Sequence, residues 1–263
     1  MAAVVAFLSQ KGGVGKSTLA RTLAAVAADA GLSVMLADLD VQQRTLMRWG
    51  KAREQHRIKP VVNVAGFDHL QAVLSHLQDA DLTVLDLPGQ LSDDITAAAA
   101  RIHLIVQPTS PSVDDLHPSL LVFQALQRMR IAREGLAFAL CRVLCEREAQ
   151  ATRRYLGAHG YAVLRNAIPE RLAYREALNF GRCLTETRQQ SLNASARLMM
   201  LDLLDRAFAL AMAKQAPQQR ARRGADAGAA EPEPISGSAK KECSQAERGG
   251  AQGFGRRVEG RGG

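Results

Sequence analysis

The chain has 263 residues, 47% of them hydrophobic and only 4% aromatic, with a formal net charge of +8. That is enough apolar residue to bury the core of one ordinary α/β domain, and no apolar run approaches the ~20 residues of a membrane span. The four cysteines (Cys141, Cys145, Cys183 and Cys243) show neither a disulfide framework nor a complete metal-ligand spacing, which points to a reducing, cytoplasmic setting; the positive excess favours a polyanionic partner without demanding one.

In chain order, "AVVAFLS" (3–9) reads as a buried first strand, since it is short, lacks a basic leader and runs straight into glycines. The stretch "STLARTLAAVAADAG" has helical spacing, "SVMLAD" (33–38) reads as a strand and "RTLMRWGKAREQ" as a helix. The alternation continues with strand "PVVNVA" (60–65), helix "HLQAVLSHLQ", strand "LTVLDL" (82–87), helix "DDITAAAARI" and strand "IHLIVQP" (102–108). Then come helix "DDLHPSLLVFQALQRMR", strand "LAFALCRVL" (136–144), helix "EAQATRRYLGAHG" and strand "YAVL" (161–164). Several strands are continuously hydrophobic, as strands covered on both faces must be. Alternating strands and helices predict an α/β fold with a mostly parallel, doubly wound sheet flanked by helices. A last amphipathic helix spans 193–214, with Asn193 as its N-cap. After it the composition changes abruptly. Large apolar residues almost vanish, so 214–263 reads as a disordered, glycine-rich, net-basic tail following a folded domain at 1–213.

The first loop carries the chemistry. In "SQKGGVGKST", Gly12, Gly13 and Gly15 let consecutive backbone N–H groups curl inward, and a helix starting near Lys16 adds its dipole at the same point. Lys16 would reach the β- and γ-phosphates of a nucleotide, Ser17 would ligate Mg²⁺, and Thr18 is placed for the α-phosphate. The pattern G-x-x-x-x-G-K-[ST] departs at its head, where Gln10 stands in place of glycine and Lys11 follows. Two strand ends supply carboxylates to the crevice above a parallel sheet: Asp38 and Asp40 in "MLADLDVQQ", and Asp86 in "LTVLDLPGQ". Asp86, with Asp38, is a candidate for the magnesium shell beside Ser17, and Asp40 for orienting an attacking water.

"KGGVGKST" resembles the deviant Walker A box of the ParA/MinD family of ATPases, "DLDVQQ" its switch I and "VLDLPG" its switch II. The likeness continues through "IVQPTSPSVDDL", "FALCRV" and "IPERLAYREALNFGRCLTET", covering roughly residues 1–213, and is greatest to the small ParA type of plasmid partition. The resemblance implies a P-loop NTPase that uses ATP and Mg²⁺, with Gly12, Gly13, Val14, Gly15, Lys16, Ser17 and Thr18 around the phosphates. It implies that Lys11 crosses a homodimer interface to the nucleotide of the partner, adding to catalysis as an arginine finger does. Two positions depart from the family pattern: Val41 stands where proline is usual, and Cys141 where asparagine would face adenine. Base contacts then fall to backbone near Ile168, Pro169 and Glu170.

The same resemblance implies an ATP-bound dimer that binds DNA without sequence preference and is stimulated by an adaptor of the ParB or ParG kind. Arg153, Arg154, Arg171, Arg175 and Arg182 are the candidate phosphate contacts. The chain would sit on the nucleoid and segregate a plasmid or chromosome. The alternative is a protein cargo such as a carboxysome, a chemoreceptor cluster or a conjugation complex. A MinD-like membrane-surface role needs a terminal amphipathic helix, and the glycine-rich tail offers none, so no stable membrane binding is expected.

Overall fold

The computed structural model describes residues 2–77, 79–89 and 93–227. Along the chain the elements are β1 (Ala3–Phe7), α1 (Lys16–Asp29), β2 (Val34–Asp38), α2 (Thr45–Gln55), β3 (Asn63–Gly66), α3 (Leu70–Leu74), β4 (Leu82–Asp86), α4 (Asp93–Ala98) and β5 (Leu104–Thr109). There follow α5 (Val113–Arg128), β6 (Leu136–Val143), α6 (Glu146–Ala158), β7 (Ala162–Val163), β8 (Ile168–Pro169), α7 (Leu172–Asn179) and α8 (Gln190–Ala227). The strands form one parallel sheet in the order β3-β2-β4-β1-β5-β6-β7, with β8 also pairing with β6. The expected doubly wound architecture is what the chain adopts.

The two-residue period of a strand explains why these runs are apolar throughout. In β1, Ala3, Val5 and Phe7 enter one core while Val4 and Ala6 enter the other, and β6 divides likewise, with Ala137, Ala139 and Cys141 opposite Leu136, Phe138 and Leu140. The first core is closed by Leu19, Leu23 and Val26 of α1, Trp49 of α2, and Met199, Leu203 and Ala207 of α8. The second is closed mainly by α5 and α6, through Phe123, Leu126, Ala149 and Leu156. Phe123, Phe138 and Tyr161 form an aromatic cluster with ring centroids 4.2, 5.3 and 5.8 Å apart, separations at which edge and offset packing are favourable.

Five details differ from the sequence pattern. Helix α3 stops at Leu74, short of residue 78, and β3 starts at Asn63 rather than residue 60. The arginine-rich segment after β8 contains a helix, α7, with Tyr174 and Ala177 turned inward. Asn193 is not the N-cap of α8; it lies inside the first turn, where Oδ1 accepts from Thr187 N (2.9 Å) and Nδ2 donates to Thr187 O (2.9 Å), tying the helix to the turn before it. Helix α8 also continues past residue 214 to Ala227, and the tail at 228–263 lies outside the described residues. Among the described residues no helix is long and apolar enough to cross a membrane.

Two ties fix the cores from below. His103 Nδ1 accepts the Val4 amide at 3.0 Å, and Lys214 Nζ donates to Ile102 O at 2.6 Å. Burial, aided by Lys214, brings the His103 pKa down to about 4. A histidine depressed from 6.5 adds stability above that value and loses it as the pH falls towards 4. The chain is therefore expected to lose thermal stability over this window. The loss should be smaller in His103→Gln by about 1–2 kcal/mol, a figure already reduced for the half-exposed ring; identical pH–melting curves for the two proteins would contradict it.

Candidate functional site

The parallel arrangement brings the carboxyl ends of β1, β2 and β4 to one edge of the sheet. Asp86 lies opposite Phe7 of β1 on one side and Asp38 of β2 on the other, so the strand-end acids flank the loop that leaves β1. That loop, residues 10–15, enters α1 through Gly15, whose φ of 119° lies in the left-handed region that favours glycine. A Cβ there would also stand 3.4 Å from Cys141 Sγ. No side chain caps α1, and no acid occupies its first turn. Its leading N–H groups and its dipole are thus available to an anion held by the loop.

Beside the loop is a cleft of about 300 Å³. Gly13, Val14, Gly15 and Thr18 form its phosphate side, and Ile168, Tyr174 and Leu184 supply an apolar wall. Cys141 also lines it, and burial pushes this thiol up to about 12, so it packs as a neutral group. Arg142, held at φ 59°, and Arg175 both pair with Glu170 at the rim. Those two cations keep the Glu170 carboxyl below its usual range, the Arg175 hydrogen bond most of all. Pro169 pairs with Val143 in the sheet and does not line the cleft, whereas Ile168 and Glu170 do. Larger clefts of about 650 and 730 Å³ lie beside α7 and β3, away from the glycines.

Asp86 is 1% exposed, and neither carboxylate oxygen has a hydrogen-bond partner among the described residues. Burial pushes its pKa up to about 6, opposed by the Ser17 hydroxyl and the Lys16 ammonium and reinforced by Asp38 and Asp40. A buried, unpartnered carboxylate next to a hydroxyl is a hard-oxygen donor set of the kind that suits a magnesium ion. Among the described residues no cluster of three or more His, Cys, Asp or Glu could hold a metal.

Asp38, a candidate for the magnesium shell, is engaged with backbone amides. Its Oδ2 accepts from Leu46 N (2.9 Å) and Met47 N (3.1 Å), and its Oδ1 from Asp40 N (3.2 Å). The buried carboxylate serves the start of α2 and the turn before it, which leaves Ser17 and Asp86 as the paired magnesium candidates. Asp40 accepts from Gln43 N through Oδ1 at 3.0 Å, which anchors the turn bearing Val41.

Lys11 lies outside the cleft that its own loop forms. It lines a separate groove of about 380 Å³ with Ser110, Asp115 and Arg142, and its ammonium pairs with Asp115. The five candidate DNA arginines separate as well. Arg171 and Arg175 line the cleft beside the glycine loop, Arg153 pairs with Glu146 on α6, Arg154 is exposed, and Arg182 lines the cleft beside α7. Two residues without a role in the sequence analysis belong to the site. Asp115 lies in the first turn of α5, where an acid is ordinary. Arg21, buried within the apolar run of α1, donates to Thr18 Oγ1 at 3.2 Å, and burial lowers its pKa to about 10.

Known proteins resemble this chain in sequence and in fold. Protein ParA of Rhizobium radiobacter is 26% identical over 222 residues, which span 81% of this chain and 96% of that protein. Among solved structures, MinD of Pyrococcus horikoshii complexed with Mg-ADP superposes with a TM-score of 0.60 at 19% identity, covering 78% of this chain and 96% of that one. A putative plasmid partition protein of Borrelia burgdorferi bound to AMPPNP gives a TM-score of 0.61 at 15% identity over 78% and 99% of the two chains. At such identities the structures speak for the fold, while the sequence match over residues 5–185 speaks for the lineage. With its glycine loop, strand-end acids and parallel sheet, the chain belongs to the CobQ/CobB/MinD/ParA nucleotide binding domain family.

Proposed function

We propose that the chain is a slow, magnesium-dependent ATPase that pairs with a second copy across bound ATP. In that state it binds DNA without sequence preference and positions a plasmid or chromosomal cargo through a centromere-binding adaptor. One observation carries the proposal. The extra lysine of the loop, Lys11, is half exposed and lines a neighbouring groove, where it pairs with Asp115 and could serve a nucleotide other than its own.

The roles follow from position. Backbone N–H groups of the loop and of the first turn of α1 would bind the phosphates, with Lys16 at the terminal ones and Thr18, oriented by Arg21, at the first. Ser17 and Asp86 would hold the magnesium ion, which when bound draws charge from the phosphate oxygens. Asp40, on a turn fixed through Gln43 and Asp38, would orient the attacking water. Lys11 from the partner would offset repulsion between two facing triphosphates and the charge that develops during transfer. Mg-ADP in the Pyrococcus protein and AMPPNP in the Borrelia protein support the choice of ligand. Among the candidate DNA arginines, Arg154 is exposed with no ion pair among the described residues, and Arg182 is exposed. Contacts of this kind would make DNA affinity fall steeply with salt.

Three substitutions test the assignment. Lys16→Ala should weaken ATP binding at least ~100-fold, about 2.7 kcal/mol, by isothermal titration. Lys11→Ala should retain nucleotide binding yet stay monomeric in analytical ultracentrifugation with a non-hydrolysable analogue; a normal dimer would remove its cross-subunit role. Asp40→Ala should lower turnover by ~100-fold and leave the ATP-bound dimer on DNA, the scale expected for losing a group that positions a proton-transferring water. Unchanged phosphate release would exclude Asp40 from the chemistry.

A further inference from the structure

Lys11 already has an anion within its own subunit. Its ammonium pairs with Oδ1 of Asp115, in the first turn of α5, and Oδ2 of the same carboxylate accepts the Ser110 hydroxyl at 2.6 Å. The two partners differ in exposure. The Asp115 side chain is 8% exposed and held by Ser110, whereas the Lys11 side chain is 50% exposed on a loop where Gly12 and Gly13 meet nothing within 4 Å of a notional Cβ. The other acids of the groove are engaged elsewhere: Glu148 Oε2 accepts Leu144 N, and Glu170 pairs with Arg142 and Arg175. Asp115 is therefore the acid of the groove that answers Lys11.

We propose that Asp115, fixed by Ser110, is a positioning residue that holds Lys11 on its own subunit until a triphosphate on a second copy competes for it. This deepens the reading above and rests on it, because it supposes that Lys11 acts across subunits. Pairing is then an exchange of anions. Lys11 leaves a singly charged carboxylate for the terminal phosphate of a partner, and Asp115 is left buried with one hydrogen bond. An abandoned buried carboxylate opposes the exchange, and the greater charge density of a triphosphate drives it. ADP, without the terminal phosphate, offers a weaker competitor. The contact thus sets the threshold of nucleotide at which two copies join, and it discriminates against the spent nucleotide.

Sedimentation velocity of the full chain in magnesium and rising ATPγS, with ADP as a parallel series, tests this. Asp115→Asn keeps the shape and removes the charge. It should bring the half-dimer point to an analogue concentration about 10-fold lower, about 1.4 kcal/mol, and should allow some dimer with ADP. Ser110→Ala should shift the curve the same way by less, and it tests the proposal even if the Asp115 variant folds poorly. Adding Lys11→Ala to Asp115→Asn should abolish the dimer. Thermal midpoints of the unliganded proteins report a purely structural role. A lower midpoint with an unmoved dimerisation curve overturns the proposal, as does a curve shifted to higher analogue concentration. Wild-type protein that never dimerises with the analogue would instead defeat the cross-subunit role of Lys11 itself.

Discussion

A carboxylate buried without a hydrogen bond, at the end of the strand beside β1, is the constraint around which this molecule is arranged. Asp86 is surrounded by other charges that do not cancel: Asp38 and Asp40 raise the cost of ionising it, and only Lys16 and Ser17 relieve that cost. The sheet leaves few alternatives. Its strands are apolar on both faces, so charged groups can emerge only where the strands end, and parallel pairing collects those ends along one edge. The glycine loop then adds backbone donors at the same edge. Opposite charges assemble there from different elements and remain incompletely matched, a condition that an incoming polyphosphate and its cation relieve.

The remaining polar groups of this edge keep the mismatch in place. Asp38 satisfies the first amides of α2 and so fixes the turn that carries Asp40. Arg21 donates to Thr18 from beneath the loop. Gly89, three residues beyond Asp86, lies so close to the first loop that a Cβ would stand 3.3 Å from Ser9 O. The segments after β1 and β4 consequently touch through backbone, where no side chain can yield. Around the nucleotide cleft the packing is apolar, and Cys141, a neutral thiol against Gly15, fills space instead of presenting a hydrogen-bonding amide to a base.

Much of this was legible in the sequence, and the limits have physical causes. Strands buried on both faces show as unbroken apolar runs, so β1, β2, β4, β5 and β6 were readable to within a residue or two. Glycines, lysine and hydroxyls at fixed spacing specify the phosphate loop because the cradle is built from consecutive residues. Helix α7 was hidden, since only Tyr174 and Ala177 of its eight residues are buried, too few to mark a helical apolar stripe. Asp38 could not be told from a metal ligand, because an aspartate at a strand end looks the same whether it faces the cleft or caps the next helix. Only the start of α2 decides between them. Asp115 was beyond reach for another reason: its partner lies 104 positions away in the chain, and no periodicity links a loop to a helix start brought beside it by the sheet.

Helix α2 is clamped at both ends. Asp38 holds its amino end, and near its carboxyl end Arg53 makes a two-pronged bond to Glu186 (2.7 Å each) while Trp49 Nε1 donates to Arg182 O at 3.0 Å. Arg53 is further braced by the carbonyls of Pro60 and Gly181 and stacks 5.1 Å from the Trp49 ring. Its eleven residues span ~16 Å, and a rod so gripped cannot absorb displacement by fraying. The turn at Asp40 and the segment that bears Arg182 are thereby tied to opposite parts of one short helix.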